Sequence, residues 1–248
     1  MFDQRNTLAK RMVDVLKTEG IKGFSRRIEN RLRSKWAQYH VFVFSLQFAS
    51  VSDALDFPTR LDPATVRMFE RCQRSFSSLT FKKVSEADGG EIDELTVIDP
   101  WGHSREGIIE KLQEGWCCYV AKFGSRIVAS SWTKTGPEFY EPLLQRSFTL
   151  AVDEVYDWRT FCVSDWRGRG VVPILIKWIV NHLALTEGVK EYIGCVKVDN
   201  AGQVRNLLQM GYLLVGRLGF IDLFGFRLHY LWGRRAFSAT KKRFFIQC

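Results

Sequence analysis

The sequence contains no apolar run of about 18 residues, the length a membrane-spanning helix needs. Its first residues, MFDQRNTLAKRM, have no apolar centre of the kind that marks a secretory signal. Both absences point to the cytoplasm. The six cysteines, Cys72, Cys117, Cys118, Cys162, Cys195 and Cys248, show neither zinc-site nor disulfide-framework spacing, and mostly sit in apolar runs. They read as buried free thiols. The histidines, at 40, 103, 182 and 229, form no i, i+4 pair, so no metal is expected. No repeat of 20 to 50 residues and no long low-complexity segment is present.

What remains is a chain of 248 residues, 46% hydrophobic and 25% charged, with 8 Trp, 7 Tyr and 19 Phe, enough to bury a substantial core. Its net charge of +9 is unevenly placed. Residues 1–36 carry +6 and residues 234–248 carry +5, which leaves −2 for the body between them. A near-neutral body with basic ends argues against a nucleic-acid groove, where positive charge covers a folded face. It suits two electrostatic anchors. Within the first segment Ile21, Phe24, Ile28, Leu32 and Trp36 fall on one helical face, with arginines and lysines on the others. Such a helix suits an anionic membrane surface, and equally suits packing on the domain with its charges solvated.

Period-2 patterns predict strands in HVFVFSLQF, LTFKKVSE, EVYDWRTFCV, KEYIGCVKV, YLLVGRLGF and RLHYLWG, and a hairpin in WCCYVAKFGSRIVASSWTKT turning at residues 123–125. Helical patterns cover ATVRMFERCQRSF, SREGIIEKLQEG, VVPILIKWIVNHLALTEG and NAGQVRNLLQ. PEFYEPLLQRSF reads as a helix or an irregular segment. The order predicts an α/β or α+β sandwich around a mixed sheet.

Between one strand and one helix stands WRGRGVV, residues 166–172. Backbone N–H groups at a glycine-rich helix start point at an anion, and the helix dipole adds to the attraction. Gly168 and Gly170 permit close approach, while Arg167 and Arg169 supply charge-assisted donors, so the expected ligand is a phosphate ester. An ordinary arginine-glycine turn has the same letters. The stretch is neither a Walker loop nor the dinucleotide fingerprint. Downstream, Asn200 starts a predicted helix, and Gly211-Tyr212 precedes a strand.

Strand, Arg-x-x-Gly, helix, strand, Asn, helix, Gly-aromatic, strand resembles the GNAT superfamily of N-acetyltransferases over residues 79–233. The resemblance implies a GNAT-like mixed central sheet flanked by helices over that range, with 1–78 as an extension of basic amphipathic helices plus one strand, and 234–248 as a basic tail. It implies an acyl-CoA-dependent N-acyltransferase, foremost an N-acetyltransferase, using acetyl-CoA or a longer acyl-CoA. The acceptor would be a small amine such as an amino sugar or amino acid derivative. Arg167, Gly168, Arg169, Gly170, Val171 and Val172 match the pyrophosphate loop. Cys162 and Val163 match the strand end that pairs with the pantetheine arm, where one N–H polarises the thioester carbonyl. Asn200 matches a position beside the pantetheine and is also a good N-cap.

Two positions depart from the family pattern. Val172 stands where glycine or alanine is usual, and Leu207 stands where many members carry the tyrosine that protonates the departing thiolate. Cys195 and Tyr212 are the candidate substitutes. For the base that takes the acceptor proton, Asp157 and Glu154 are the candidates, on opposite faces of their strand. Glu138 and Tyr140 are candidates to line the acceptor side. Two other readings stay open: a GNAT-fold binding module without catalysis, and a protein that binds membrane surfaces through its basic ends.

Overall fold

A computed structural model describes residues 38–57, 61, 63–98, 103–141, 144, 146–223 and 226–233. The basic amphipathic helix expected within 1–36 and the tail 234–248 lie outside the described residues. In chain order the elements are β1 (Gln38–Gln47), α1 (Val51–Leu55), α2 (Pro63–Ser75), β2 (Leu79–Val84), α3 (Gly89–Ile98) and α4 (Arg105–Gln113). Then come β3 (Trp116–Phe123), β4 (Arg126–Thr135), β5 (Glu138–Glu141), β6 (Arg146–Thr149) and β7 (Glu154–Cys162). The last are α5 (Val171–Glu187), β8 (Glu191–Lys197), α6 (Ala201–Gln209), β9 (Leu213–Leu223) and β10 (Phe226–Gly233).

Eight strands form one mixed sheet in the order β10-β9-β1-β8-β7-β4-β3-β2, with helices on both faces. The α/β architecture expected from the sequence is therefore the one observed. Every neighbouring pair is antiparallel except β7 and β8, which are parallel. β1 comes from the segment placed in the N-terminal extension, yet it runs between β8 and β9. Its alternation explains the position: Val41 and Val43 join the core on one face, Phe44 and Leu46 the core on the other, as a central strand requires. Ala54 of α1, Phe57 just after it and Phe69 of α2 join the second of these cores, so β1, α1 and α2 are built into the body.

Helix α5 organises that same face. Val171, Ile174, Leu175, Ile176, Ile179, Val180, Leu183 and Ala184 are buried along it, and removing one such large side chain costs about 2–5 kcal/mol. Glycines in the left-handed region bound it at both ends, Gly170 with φ 83° and Gly188 with φ 66°. On the opposite face α3 and α4 cover the sheet through Ile92, Leu95 and Ile108. No helix among the described residues is long and apolar enough to cross a membrane.

One segment differs from the sequence reading, and another carried no reading. PEFYEPLLQRSF gives the hairpin strands β5 and β6, because Phe139 pairs with Phe148 across it and packs against Trp116 and Tyr156. GGEIDELTVI forms α3 despite its glycines, since the i, i+3 spacing of Ile92 and Leu95 brings both into the core.

Candidate active site

The sheet forks where its parallel pair ends. β7 and β8 pair from Glu154↔Glu191 to Asp157↔Gly194 and then part, although β7 continues to Cys162 and β8 to Lys197. Each strand keeps its other neighbour: β8 stays with β1 as far as Val41↔Lys197, and β7 stays with β4 as far as Ala129↔Cys162. A bulge increases the divergence. Between Ser130↔Phe161 and Trp132↔Trp158, the residues Arg159 and Thr160 together oppose Ser131 alone. Arg159 has φ 50°, the only non-glycine positive value among the described residues, a conformation that costs on the order of 1–3 kcal/mol.

A cavity of about 350 Å³ occupies the fork. β7 contributes Tyr156 to Thr160, β8 contributes Gly194 to Lys197, and Val41, Glu141, Asn200 and Leu207 complete much of the wall. It meets both faces of the sheet, since Tyr156 and Trp158 belong to the α3/α4 side and Leu207 to the α5 side.

Asp157 stands at the fork. Ser131 Oγ donates to its Oδ1 at 2.9 Å, and Ser131 Oγ lies 2.9 Å from Thr160 Oγ1. Burial raises the Asp157 pKa from 3.8 to about 6, against the opposing effect of the Ser131 and Thr160 hydrogen bonds. Glu154, the other carboxylate considered from the sequence, lies outside the cavity wall, and its Oε2 accepts the Ala151 N–H at 2.8 Å. Alternation along β5 likewise turns Glu138 and Tyr140 outward and Phe139 and Glu141 inward.

The glycine-rich loop follows directly from the open end of β7. Ser164–Trp166 forms a 3-10 turn, after which Gly168, with φ 71°, and Gly170 bend the chain into α5. The N–H groups of Gly168, Arg169, Gly170, Val171 and Val172 make no backbone hydrogen bond of normal geometry among the described residues. Successive N–H groups at a helix start are an arrangement that attracts anions. Gly170 is required twice over. Its φ is unsuited to other residues, and a Cβ there would collide with the Cys72 sulfur on α2. Arg167 Nε donates to the Cys162 C=O at 2.9 Å, and the Arg169 guanidinium lies 5.6 Å from the Trp166 ring. Val172 is half-buried against the core.

Other positions named from the sequence fall as follows. The Val163 N–H donates to the Val128 C=O at 3.0 Å, so it is not the donor expected for a thioester carbonyl. Asn200 caps α6, its side chain accepting the Gln203 N–H at 3.2 Å, and also lines the cavity. Leu207 is 3% exposed in the cavity wall. Cys195 lines the cavity, with its thiol pKa pushed up by burial. Tyr212 is buried outside the wall, its hydroxyl without a partner among the described residues and its pKa pushed up by burial. Ser131, Thr160, Glu141, Trp158 and Arg159 were not singled out from the sequence; only strand pairing brings them to the fork. No group of three or more His, Cys, Asp or Glu among the described residues could hold a metal ion.

No protein-family model matches the sequence, and no curated protein does. Among solved structures, the chain is similar to a GNAT-family protein from Novosphingobium aromaticivorans, with 14% identity and a TM-score of 0.47, over 80% of this chain and 66% of that one. It is also similar to an aminoglycoside acetyltransferase from an uncultured soil metagenomic sample, with 13% identity and a TM-score of 0.42, over 54% of this chain and 88% of that one.

Proposed function

We propose that the chain is an acyl-CoA-dependent N-acyltransferase, foremost an N-acetyltransferase, acting on a small amine. One observation carries the reading: the glycine-rich helix start at Gly168–Val172 stands at the open end of a fork in the sheet, with a carboxylate of raised pKa at the closed end. That helix start would hold the diphosphate of acetyl-CoA or a longer acyl-CoA. From Cys162 back to Asp157 a fully extended strand would span about 16 Å, an upper limit given the bulge at Arg159, so an extended pantetheine arm would bring the thioester beside the bulge.

Asp157 then takes the proton from the acceptor ammonium. The freed nitrogen attacks the thioester carbonyl, a C–N bond forms, the C–S bond breaks with its electron pair leaving on sulfur, and the second proton of the nitrogen passes to the departing thiolate or to water. A backbone N–H near the bulge, directed at the developing oxyanion, would supply the electrostatic part of the catalysis. A thiol with a pKa near 8.5 leaves as the thiolate without great assistance, so Leu207 is compatible with turnover. Leu207 also favours a second reading, a module that binds acyl-CoA without transferring it.

Calorimetry with acetyl-CoA and thiol release against a panel of amines test the two readings. Binding with amine-dependent thiol release is expected. Binding without turnover on any amine favours the module, and absence of binding at millimolar acetyl-CoA removes both. A cytoplasmic location with peripheral attachment through the basic ends accompanies this reading; co-sedimentation with anionic vesicles, lost at high salt, is the expected behaviour.

A further inference from the structure

Asp157 and Thr160 stand three residues apart on β7, a spacing that strict alternation turns to opposite faces of a sheet. Up to the bulge the alternation is kept: Val155 belongs to the core under α5, and Tyr156 and Trp158 belong to the core under α3 and α4. The bulge at Arg159 adds the residue that reverses the phase. Asp157 Oδ1 and Thr160 Oγ1 therefore each lie 2.9 Å from one atom, the Oγ of the fully buried Ser131. Asp157 and Thr160 border the cavity, and Ser131 lies outside its wall.

Ser131 has one hydroxyl proton and two partners. While Asp157 is ionised, Ser131 donates to the carboxylate and accepts from Thr160. Once the carboxyl carries a proton the chain runs the other way: Asp157 donates to Ser131, Ser131 donates to Thr160, and the Thr160 proton is turned out to the cavity. The other hydroxyl and thiol of the described wall are less suited to this part. Tyr156 donates to Glu141 Oε2 at 2.9 Å, and burial makes the Cys195 thiol a weaker acid. The hydrogen bonds that act on Asp157 come from Ser131 and Thr160.

We propose that Thr160 is the catalytic acid of the transfer, recharged through Ser131 by the proton that Asp157 takes from the acceptor. The inference rests on the acyltransferase reading, in which the thioester lies beside the bulge. Asp157 takes one proton from the ammonium, and the nitrogen attacks. As the C–S bond breaks and its electron pair goes to sulfur, Thr160 gives its hydroxyl proton to sulfur, Ser131 gives its own to Thr160, and the Asp157 carboxyl gives the acceptor's proton to Ser131. Each hydroxyl ends with one proton, the carboxylate is restored, the thiol leaves neutral, and the second nitrogen proton goes to water. The transfer is downhill, from a carboxyl of pKa about 6 to a thiolate whose thiol has a pKa near 8.5. Position 207 then needs no tyrosine, because the proton reaches sulfur from β7 instead of α6. The acceptor itself brings that proton, so the acid needs no charging from solvent.

Single-turnover thiol release from acetyl-CoA, with the fastest amine of the panel, tests the assignment on the full chain. Thr160→Val should slow it tenfold or more, leave the affinity for acetyl-CoA in calorimetry unchanged, and keep the ascending limb that Asp157 gives the kcat/KM profile, moved upward because a hydrogen bond favouring the carboxylate is gone. Thr160→Ser should recover most of the rate. In mixtures of light and heavy water the native rate should fall along a curve, with several protons in motion, and the Thr160→Val rate along a straight line. Should Thr160→Val fail to fold, Thr160→Ala is measured in its place. An unchanged rate in the variant, a straight line for the native chain, or loss of the ascending limb together with the rate overturns the proposal, the last by showing that Thr160 only positions Asp157. Thiol release that persists at the native rate in the variant removes the relay and leaves the acyltransferase reading standing. No release by the native chain on any amine removes both.

Discussion

Burial sets the chemistry of Asp157. Its folded-state pKa, about 6, lies above the ordinary 3.8, so ionising it costs folding free energy as pH rises through that window, and the penalty is fully developed above it. Asp157→Asn should therefore melt higher than the native chain at pH 7.5, by roughly 1–3 kcal/mol of stability, and gain little below pH 4. On the proposed reading the same substitution lowers kcat about 10²- to 10⁴-fold and removes a limb near pH 6 from the kcat/KM profile. Stability up and activity down from one carboxyl distinguishes a base from a structural ion. Leu207 provides a second check at this scale. On the reading in which the thiolate departs unassisted, kcat should stay level from pH 7 to pH 9, whereas a descending limb would reveal a proton donor such as Cys195.

At the scale of elements, the loop and the strand ends carry the site. Gly170→Ala meets both a left-handed φ and the Cys72 sulfur; it should cost at least about 1–3 kcal/mol of stability and weaken CoA binding, both readable by calorimetry. Gly168→Ala meets no neighbouring atom, so any loss there comes from its φ alone and should be smaller. WRGRGVV was legible in the sequence because glycine spacing and a following helix are local features. Asp157 was legible only as one of two carboxylates. Its partner Ser131 is 26 residues away, and which face of β7 opens is decided by where β8 departs, a property of pairing that no single segment encodes. Arg159 was invisible for the same reason, since a bulge exists only relative to the strand opposite it.

For the whole molecule, the pattern from residue 79 onward announced the body, while β1 read only as a strand available to a larger sheet. Its central place depends on partners more than a hundred residues later. A chain beginning at Leu79 should accordingly lose its cooperative thermal transition, followed by circular dichroism, because β8 and β9 would face each other with no strand between them and the cavity would lose the wall that Val41 provides.

The insertion of β1 also has a temporal side. This apolar strand is made well before its two neighbours, which end at Lys197 and Leu223. At about 5–20 residues per second, synthesis leaves it waiting on the order of 10 s before both exist. During that interval HVFVFSLQF is an unpaired, aggregation-prone edge. Slower elongation should lower the soluble yield, and a chaperone that shields nascent strands should restore it, with no change in the melting temperature of the protein that does fold.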